Sequence, residues 1–220
     1  MKKNKIVLFD IDYTLFDTAL FRKKFQKSLA KVLNMDEKTL LEIQSGVIDQ
    51  VRKEIGYFHP EEFSKLLAKK INQEDKKNII LDSIFSSENF KDNYYREVKS
   101  VLVELSKEVQ IGIFSKGFSK FQLKKLYAIE YLFKKDHLNF SVDKHKSLPE
   151  LFEKYKDYSL YIVDDALDVL FSAKKLNNEV FTVWVKRGFY ADKQQPIEGF
   201  SPDAIIVDLN KLISIINSSK

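Results

Sequence analysis

A chain of 220 residues, 44% hydrophobic and 31% charged, has the length and composition of a soluble globular protein, either one domain or a core domain carrying an insertion. The absence of cysteine excludes a disulfide framework and a thiolate metal centre and favours a reducing, cytoplasmic setting. The formal net charge of +5 arises from 37 Lys+Arg against 32 Asp+Glu scattered through helical segments, which predicts a mildly basic surface with no nucleic-acid partner.

The first predicted element is the strand Ile6-Val7-Leu8-Phe9, a continuous apolar run of the kind buried on both faces of a parallel sheet. It follows a lysine-rich start but is too short for a signal or a membrane span, so no membrane partner is expected. The run stops at Asp10, and Asp12 lies two residues on. In extended backbone the two carboxylates share a side, where they can hold a cation together or divide acid and nucleophile duties. Read alone, the pair is more simply a strand end at Asp10 and a cap of the next helix at Asp12.

Helical spacing then takes over. Predicted helices run from Asp17 or Thr18 to Asn34, from Asp36 to a stop at Gly56, from Pro60 through Ile71, and from about Asp75 to Phe85. From Asp92 onward helices and strands alternate. A helix over Tyr95 to Lys107 leads to a strand over Val109 to Phe114 that ends in Ser115-Lys116-Gly117. A helix from Ser119 to Ile129 precedes a short strand near His137 to Val142, then Asp143-Lys144-His145-Lys146 and a helix from Leu148 to Tyr155. The strand Ser159 to Val163 ends in Asp164-Asp165, followed by a helix over Leu167 to Leu176. Strands near Val180 to Val185 and Ala204 to Val207 and a helix near Leu209 to Ile216 close the chain. The predicted fold is α/β: a Rossmann-like parallel sheet core with helices on both faces, over 1–16 and 89–220, plus an inserted α-helical cap domain over 17–88.

Polar residues cluster where these strands end, and in an open parallel sheet the carboxyl ends of the strands line the ligand crevice. Asp10 and Asp12, Ser115, a lysine among 144 to 146, and Asp164 with Asp165 and Asp168 can therefore converge. Several carboxylates in one crevice call for a cation, and an all-oxygen set suits Mg2+. A lysine and a hydroxyl beside it suit the spread negative charge of a phosphoryl group.

The set resembles the haloacid dehalogenase superfamily of phosphatases and phosphotransferases. Its first motif, D-x-D-x-T after an apolar strand, is matched by Asp10-Ile11-Asp12-Tyr13-Thr14. The second, a strand ending in Ser or Thr, is matched at Ser115, and the fourth, a strand ending in acids, at Asp164-Asp165-Ala166-Leu167-Asp168. The third, a lysine ahead of P-E-x-F, is matched by Lys146-Ser147-Leu148-Pro149-Glu150-Leu151-Phe152, which favours Lys146 over Lys144. The helical insertion is similar to the family's cap, which closes over the active site.

The resemblance implies that Asp10 is the nucleophile and Asp12 the acid/base, with Mg2+ between the Asp10 carboxylate, the Asp12 backbone carbonyl and Asp164. It further implies that Ser115 and Lys146 hold the phosphoryl group, while Lys116 departs from the pattern, standing where the family often has Asn, and as an extra positive charge near the substrate is a further phosphate-binding candidate. Thr14, which ties the loop through its hydroxyl, Gly117, Asp165 and Asp168 have supporting roles. Because the dehalogenase branch lacks an acid at the position of Asp12, the implied activity is a phosphatase acting on a small phosphorylated metabolite. A phosphomutase or phosphotransferase and a non-catalytic regulatory module that retains the fold are the alternatives. Tyr13 and Val163 stand where the family often has Gly. His137 and His145 have no partners at ligand spacing and read as incidental, and Trp184 reads as core. Arg22, Lys23, Arg52, Tyr57 and His59 are the candidates for specificity in the cap.

Overall fold

Ile6, Val7, Leu8 and Phe9 are all fully buried, as a strand covered on both faces requires. In the computed structural model, which describes residues 4–188, 191 and 193–218, they form the centre of a six-stranded sheet. In chain order the elements are β1 (Asn4–Phe9), α1 (Thr18–Leu33), α2 (Glu37–Ile55), α3 (Pro60–Lys70), α4 (Lys77–Phe85), α5 (Ser87–Phe90), α6 (Val98–Glu108), β2 (Gln110–Lys116), α7 (Ser119–Leu126), β3 (Leu138–Ser141), α8 (Lys144–Lys154), β4 (Tyr158–Asp164), α9 (Leu167–Leu176), β5 (Phe181–Val185), β6 (Ala204–Ile206) and α10 (Asn210–Ser218).

The strand order is β3-β2-β1-β4-β5-β6 and every pairing is parallel. This is the doubly wound order in which the chain steps from β1 outward to β3 and then returns to the other side of β1 with β4. The crevice at that reversal lies at the carboxyl ends of β1 and β4. Register fixes what meets there: Phe9 pairs with Ile113 of β2 and with Val163 of β4. The next residue of each strand therefore stands at the same edge.

The chain divides into two compact units. The sheet unit comprises Met1–Asp17, Tyr94–Lys116 and Leu126–Lys220, and the helical unit comprises Thr18–Asn93 and Gly117–Lys125. The helical unit is larger than the expected 17–88 insertion. It runs on to Asn93 and takes in most of α7, because Phe121 packs among its aromatic rings: Phe21 at 5.7 Å, Phe58 at 5.4 Å, Phe85 at 5.9 Å and Phe90 at 5.8 Å between centroids. Local chemistry sets its helix ends. The Asp36 side chain accepts from the Thr39 N–H at 2.9 Å to start α2, and Gly56, at φ 90°, ends it by donating to the Arg52 carbonyl.

Two boundaries differ from the sequence prediction in ways that matter for the site. Strand β2 continues through Ser115 and Lys116, which pair in register with Phe140 and Ser141, so neither residue is in a loop. Helix α8 begins at Lys144, not near Leu148: Pro149 lies inside the helix, and Asp143 is the cap. Among the described residues no helix is long and apolar enough to cross a membrane.

Candidate active site

Asp10 is the residue at which β1 stops, and it remains in the sheet's hydrogen-bond pattern by donating its N–H to the Val163 carbonyl at 2.9 Å. That bond sets its buried side chain beside Asp164, the last residue of β4. Ligand oxygens of Asp10, Asp164 and Asp165 lie within 4.8 Å of one another, and all three residues are buried. Asp12 stands outside this set of carboxylates, but its charge contributes to the shifts of Asp10 and Asp165. Asp165, expected only to support, belongs to the cluster.

The lysine of the site is Lys144, and the expectation of Lys146 is corrected. Lys144 Nζ donates to Asp10 Oδ1 at 2.5 Å and to Asp164 Oδ2 at 2.6 Å, and all three side chains are at most 7% exposed. Its ammonium also lies 5.3 Å from the centre of the Phe114 ring. The Lys146 side chain is 87% exposed and reaches only Asp143, at 3.8 Å. Helix geometry accounts for the choice. Asp143 caps α8 by accepting from the His145 and Lys146 amides, which makes Lys144 the first helical residue. Two residues on, a helix has turned by about 200°, so Lys146 points away from whatever Lys144 faces.

Burial pushes the Asp10 carboxyl up to about 7; Lys144 opposes this, and the neighbouring Asp164 and Asp12 add to it. Burial, and then the charges of Asp10 and Asp164, hold Asp165 well above the usual carboxylate range. Burial also works against the charge of Lys144, but the two carboxylates it touches outweigh it and keep the ammonium above the usual lysine range. The arrangement is a buried acid cluster with one lysine and too little positive charge. Three buried all-oxygen donors fit a hard divalent cation, and Asp10, Asp164 and Asp165 are the residues that would hold it.

The remaining predicted residues fall as follows. Ser115 is buried at the end of β2, next to the central strand, and Lys116 beyond it is exposed. Gly117, at φ 141°, belongs to the helical unit, where a Cβ would press on Gln122 at 3.2 Å. The Thr14 hydroxyl does not tie its loop: it is buried without a hydrogen-bond partner among the described residues. Backbone bonds hold that loop instead, the N–H groups of Leu15 and Phe16 both donating to the Ile11 carbonyl, at 3.0 and 2.8 Å. Asp168 lies apart from the acids, with a side chain 66% exposed and 3.1 Å from His145 Nε2. His145 also meets Ser172 at 2.9 Å and His137 meets the Tyr155 hydroxyl at 3.3 Å, so both histidines do have partners, in the scaffold. In the helical unit Arg22, Lys23 and Arg52 are exposed, and His59 lies against Phe118 with ring centres 4.5 Å apart.

Four residues of the surroundings were not anticipated. Trp184, a core residue as expected, also donates its indole N–H to the Asp165 carbonyl at 3.0 Å. Gln194 donates to the same carbonyl at 2.8 Å and accepts from the Leu167 N–H at 2.6 Å, so the loop after β4 is braced from both sides. Arg187 and Glu97 brace the loop after β1. The signal for Arg187 was present, since Lys186-Arg187-Gly188 follows a strand at the same edge of the sheet.

The chain matches no family model. It is 25% identical over 230 residues to the glyceraldehyde 3-phosphate phosphatase of Pyrococcus furiosus, with 98% of this chain and 94% of that protein covered. Among solved structures, a haloacid dehalogenase-like hydrolase from Burkholderia xenovorans superposes with a TM-score of 0.78 at 19% identity, covering 96% of this chain and 98% of its own. The chain has the fold of the haloacid dehalogenase-like hydrolases. Another hydrolase of this fold, YfnB from Bacillus subtilis bound to magnesium, superposes at 0.67 with 19% identity over 98% of this chain and all of its own. The L-2-haloacid dehalogenase of Xanthobacter autotrophicus does so at 0.66 with 13% identity over all of both chains. Phosphatases and dehalogenases thus share this fold, and residues must decide between the two chemistries.

Proposed function

We propose that this hydrolase is a magnesium-dependent phosphatase that cleaves a small phosphorylated metabolite through an aspartyl-phosphate intermediate. The observation that carries the reading is the buried Asp10 at the end of the central strand, bridged by Lys144 to Asp164, with a second acid, Asp12, two residues later. A halide leaves without a proton, whereas an alkoxide needs one, and Asp12 is the acid to supply it. Similarity to a glyceraldehyde 3-phosphate phosphatase over nearly the full length of both chains supports a small phosphate ester as substrate.

In this reading an Asp10 oxygen attacks phosphorus, and the bond from phosphorus to the ester oxygen breaks. Asp12 gives its proton to that oxygen, and the alcohol departs. A water oxygen then bonds to phosphorus while Asp12, now a carboxylate, takes the water's proton. The bond from phosphorus to Asp10 breaks, releasing phosphate and restoring the carboxylate. In this reading Lys144 keeps Asp10 and Asp164 in place and offsets negative charge beside the phosphoryl group, and Ser115 and Lys116, at the neighbouring strand end, would hold its oxygens. Magnesium held by Asp10, Asp164 and Asp165 would supply the further positive charge that keeps Asp10 ionised and neutralises the phosphoryl oxygens.

The test is hydrolysis of an aryl phosphate by purified protein with magnesium, followed by a panel of triose and sugar phosphates. Asp10→Asn should lower turnover by about 10³-fold or more, as loss of a covalent nucleophile does. Undiminished turnover in that variant would overturn the mechanism, and isomerisation of a sugar phosphate with little free phosphate would make the protein a mutase.

A further inference from the structure

The loop that carries Asp12 is held by a second, largely buried cation, Arg187. Arg187, two residues past the end of β5, donates Nε to the Tyr13 carbonyl at 3.3 Å and Nη2 to the Thr14 carbonyl. Its Nη1 pairs with Glu97 Oε1, and the two side chains are 11% and 14% exposed. The guanidinium carbon lies 3.8 Å from the centre of the Tyr95 ring. Glu97 also accepts from the N–H of Leu209, the residue before α10, at 3.3 Å.

The same short segment meets the loop elsewhere. The Leu15 carbonyl accepts from the Tyr95 N–H at 3.4 Å, and Phe16 forms an isolated antiparallel bridge with Tyr94. Successive carbonyls of Tyr13, Thr14 and Leu15 are therefore all taken up by residues of 94–97 and by Arg187. Tyr13 itself sits at φ 58°, a conformation that a bulky residue adopts only when its surroundings enforce it. Gly188 completes the enclosure: a Cβ there would stand 2.4 Å from Tyr13 Cδ1, so only glycine lets the chain pass that ring.

We infer that Arg187, fixed by Glu97, is a positioning residue that locks the Asp12-Tyr13-Thr14 loop and thereby sets the aim of the Asp12 carboxyl group at the reacting oxygen. The catalytic consequence rests on the phosphatase reading above; the locking of the loop does not. Charge alone is insufficient for this role, because two adjacent carbonyls and a carboxylate are met by one planar fork, which lysine cannot imitate. An acid displaced by about 1 Å loses on the order of 10²-fold in rate while the substrate still binds.

The experiment compares wild type with Arg187→Ala, Arg187→Lys and Glu97→Gln by amide hydrogen exchange and by steady-state kinetics with magnesium and an aryl phosphate. In Arg187→Ala the amides of Leu15 and Phe16 should exchange about tenfold faster or more, with β2 amides unchanged. The same variant should lose kcat by about 10- to 100-fold with KM within about threefold. Added guanidinium should recover part of the rate, and Arg187→Lys should recover little. Exchange at Leu15 and Phe16 equal to wild type overturns the proposal, and so does acceleration spread evenly over the sheet, which marks a general loss of stability. Should Arg187→Ala fail to fold, Glu97→Gln, which leaves the arginine in place with a neutral partner, is held to the same local exchange criterion. A wild type that cleaves no phosphate ester refutes the phosphatase reading, and exchange alone then decides the locking role.

Discussion

Replacing Lys144 by methionine keeps most of the side chain's volume and removes its charge from the acid cluster. The Nζ contacts at 2.5 and 2.6 Å to Asp10 and Asp164 are both buried. At an effective dielectric of about 20 each contact represents roughly 6 kcal/mol of attraction. Most of that is offset by the cost of keeping an ammonium away from water, and breaking such a buried pair leaves a net loss of about 3–5 kcal/mol. This is a large share of a typical domain stability of about 5–15 kcal/mol. Lys146→Met, at an 87% exposed side chain, should change stability by no more than about 0.5 kcal/mol. Urea denaturation at pH 7.5 in the presence of a chelator measures both. Equal midpoints for the two variants would refute the assignment of Lys144 to the site, and a greater loss in Lys146→Met would reverse it.

Titration of Asp10 gives a prediction with a definite sign. Its folded value of about 7 lies above the unfolded 3.8, so its contribution to stability is full below about pH 4 and is lost as pH rises through 7, on the order of 4 kcal/mol in all. Metal-free protein followed by thermal denaturation should lose this increment between pH 4 and 8, and Asp10→Asn should flatten that part of the curve. Magnesium, which competes with protons for the same oxygens, should raise Tm more at pH 8 than at pH 5; an equal shift at both would count against Asp10 as a ligand. Gly188→Ala meets both a left-handed φ of 78° and the Tyr13 ring, and should cost about 1–3 kcal/mol by thermal or urea unfolding, with wild-type stability refuting the close packing.

The sheet was legible because its strands are short apolar runs that stop at polar residues, and one rule about strand ends brought Asp10, Ser115 and Asp164 to a single edge. That rule could not choose between Lys144 and Lys146. The choice depends on where α8 begins: the helix was expected from Leu148, whereas Asp143 caps it so that it starts at Lys144. The reach of the helical unit was hidden for a different reason. Its claim on 117–125 rests on Phe121, whose ring partners lie from 31 to 100 positions away along the chain. Local periodicity carries no trace of such contacts. Glu97 carried no signal, and Arg187, although it follows a strand end, reads like Glu97 as a solvated charge until tertiary structure largely buries both and turns the arginine's fork toward two backbone carbonyls.

Burial first, and then neighbouring carboxylates, raise Asp10 and Asp165, while the carboxylates raise Lys144 against its burial. Asp10, Asp164 and Asp165 face a single buried ammonium, which leaves two negative charges in excess when every carboxyl is ionised. Buried charge of that size is not sustained. Protons can relieve it, and the upward shifts of Asp10 and Asp165 record that tendency. A divalent cation relieves it as completely and leaves Asp10 ionised, which is the form a nucleophile must have. Proton and dication are therefore alternative occupants of one electrostatic deficit, and on the phosphatase reading only the second leaves the nucleophile ionised at neutral pH. On the phosphatase reading Asp165→Asn removes one of the residues that would hold the cation, so the magnesium concentration that gives half-maximal aryl phosphate turnover should rise, and an unchanged requirement would count against Asp165 as a ligand.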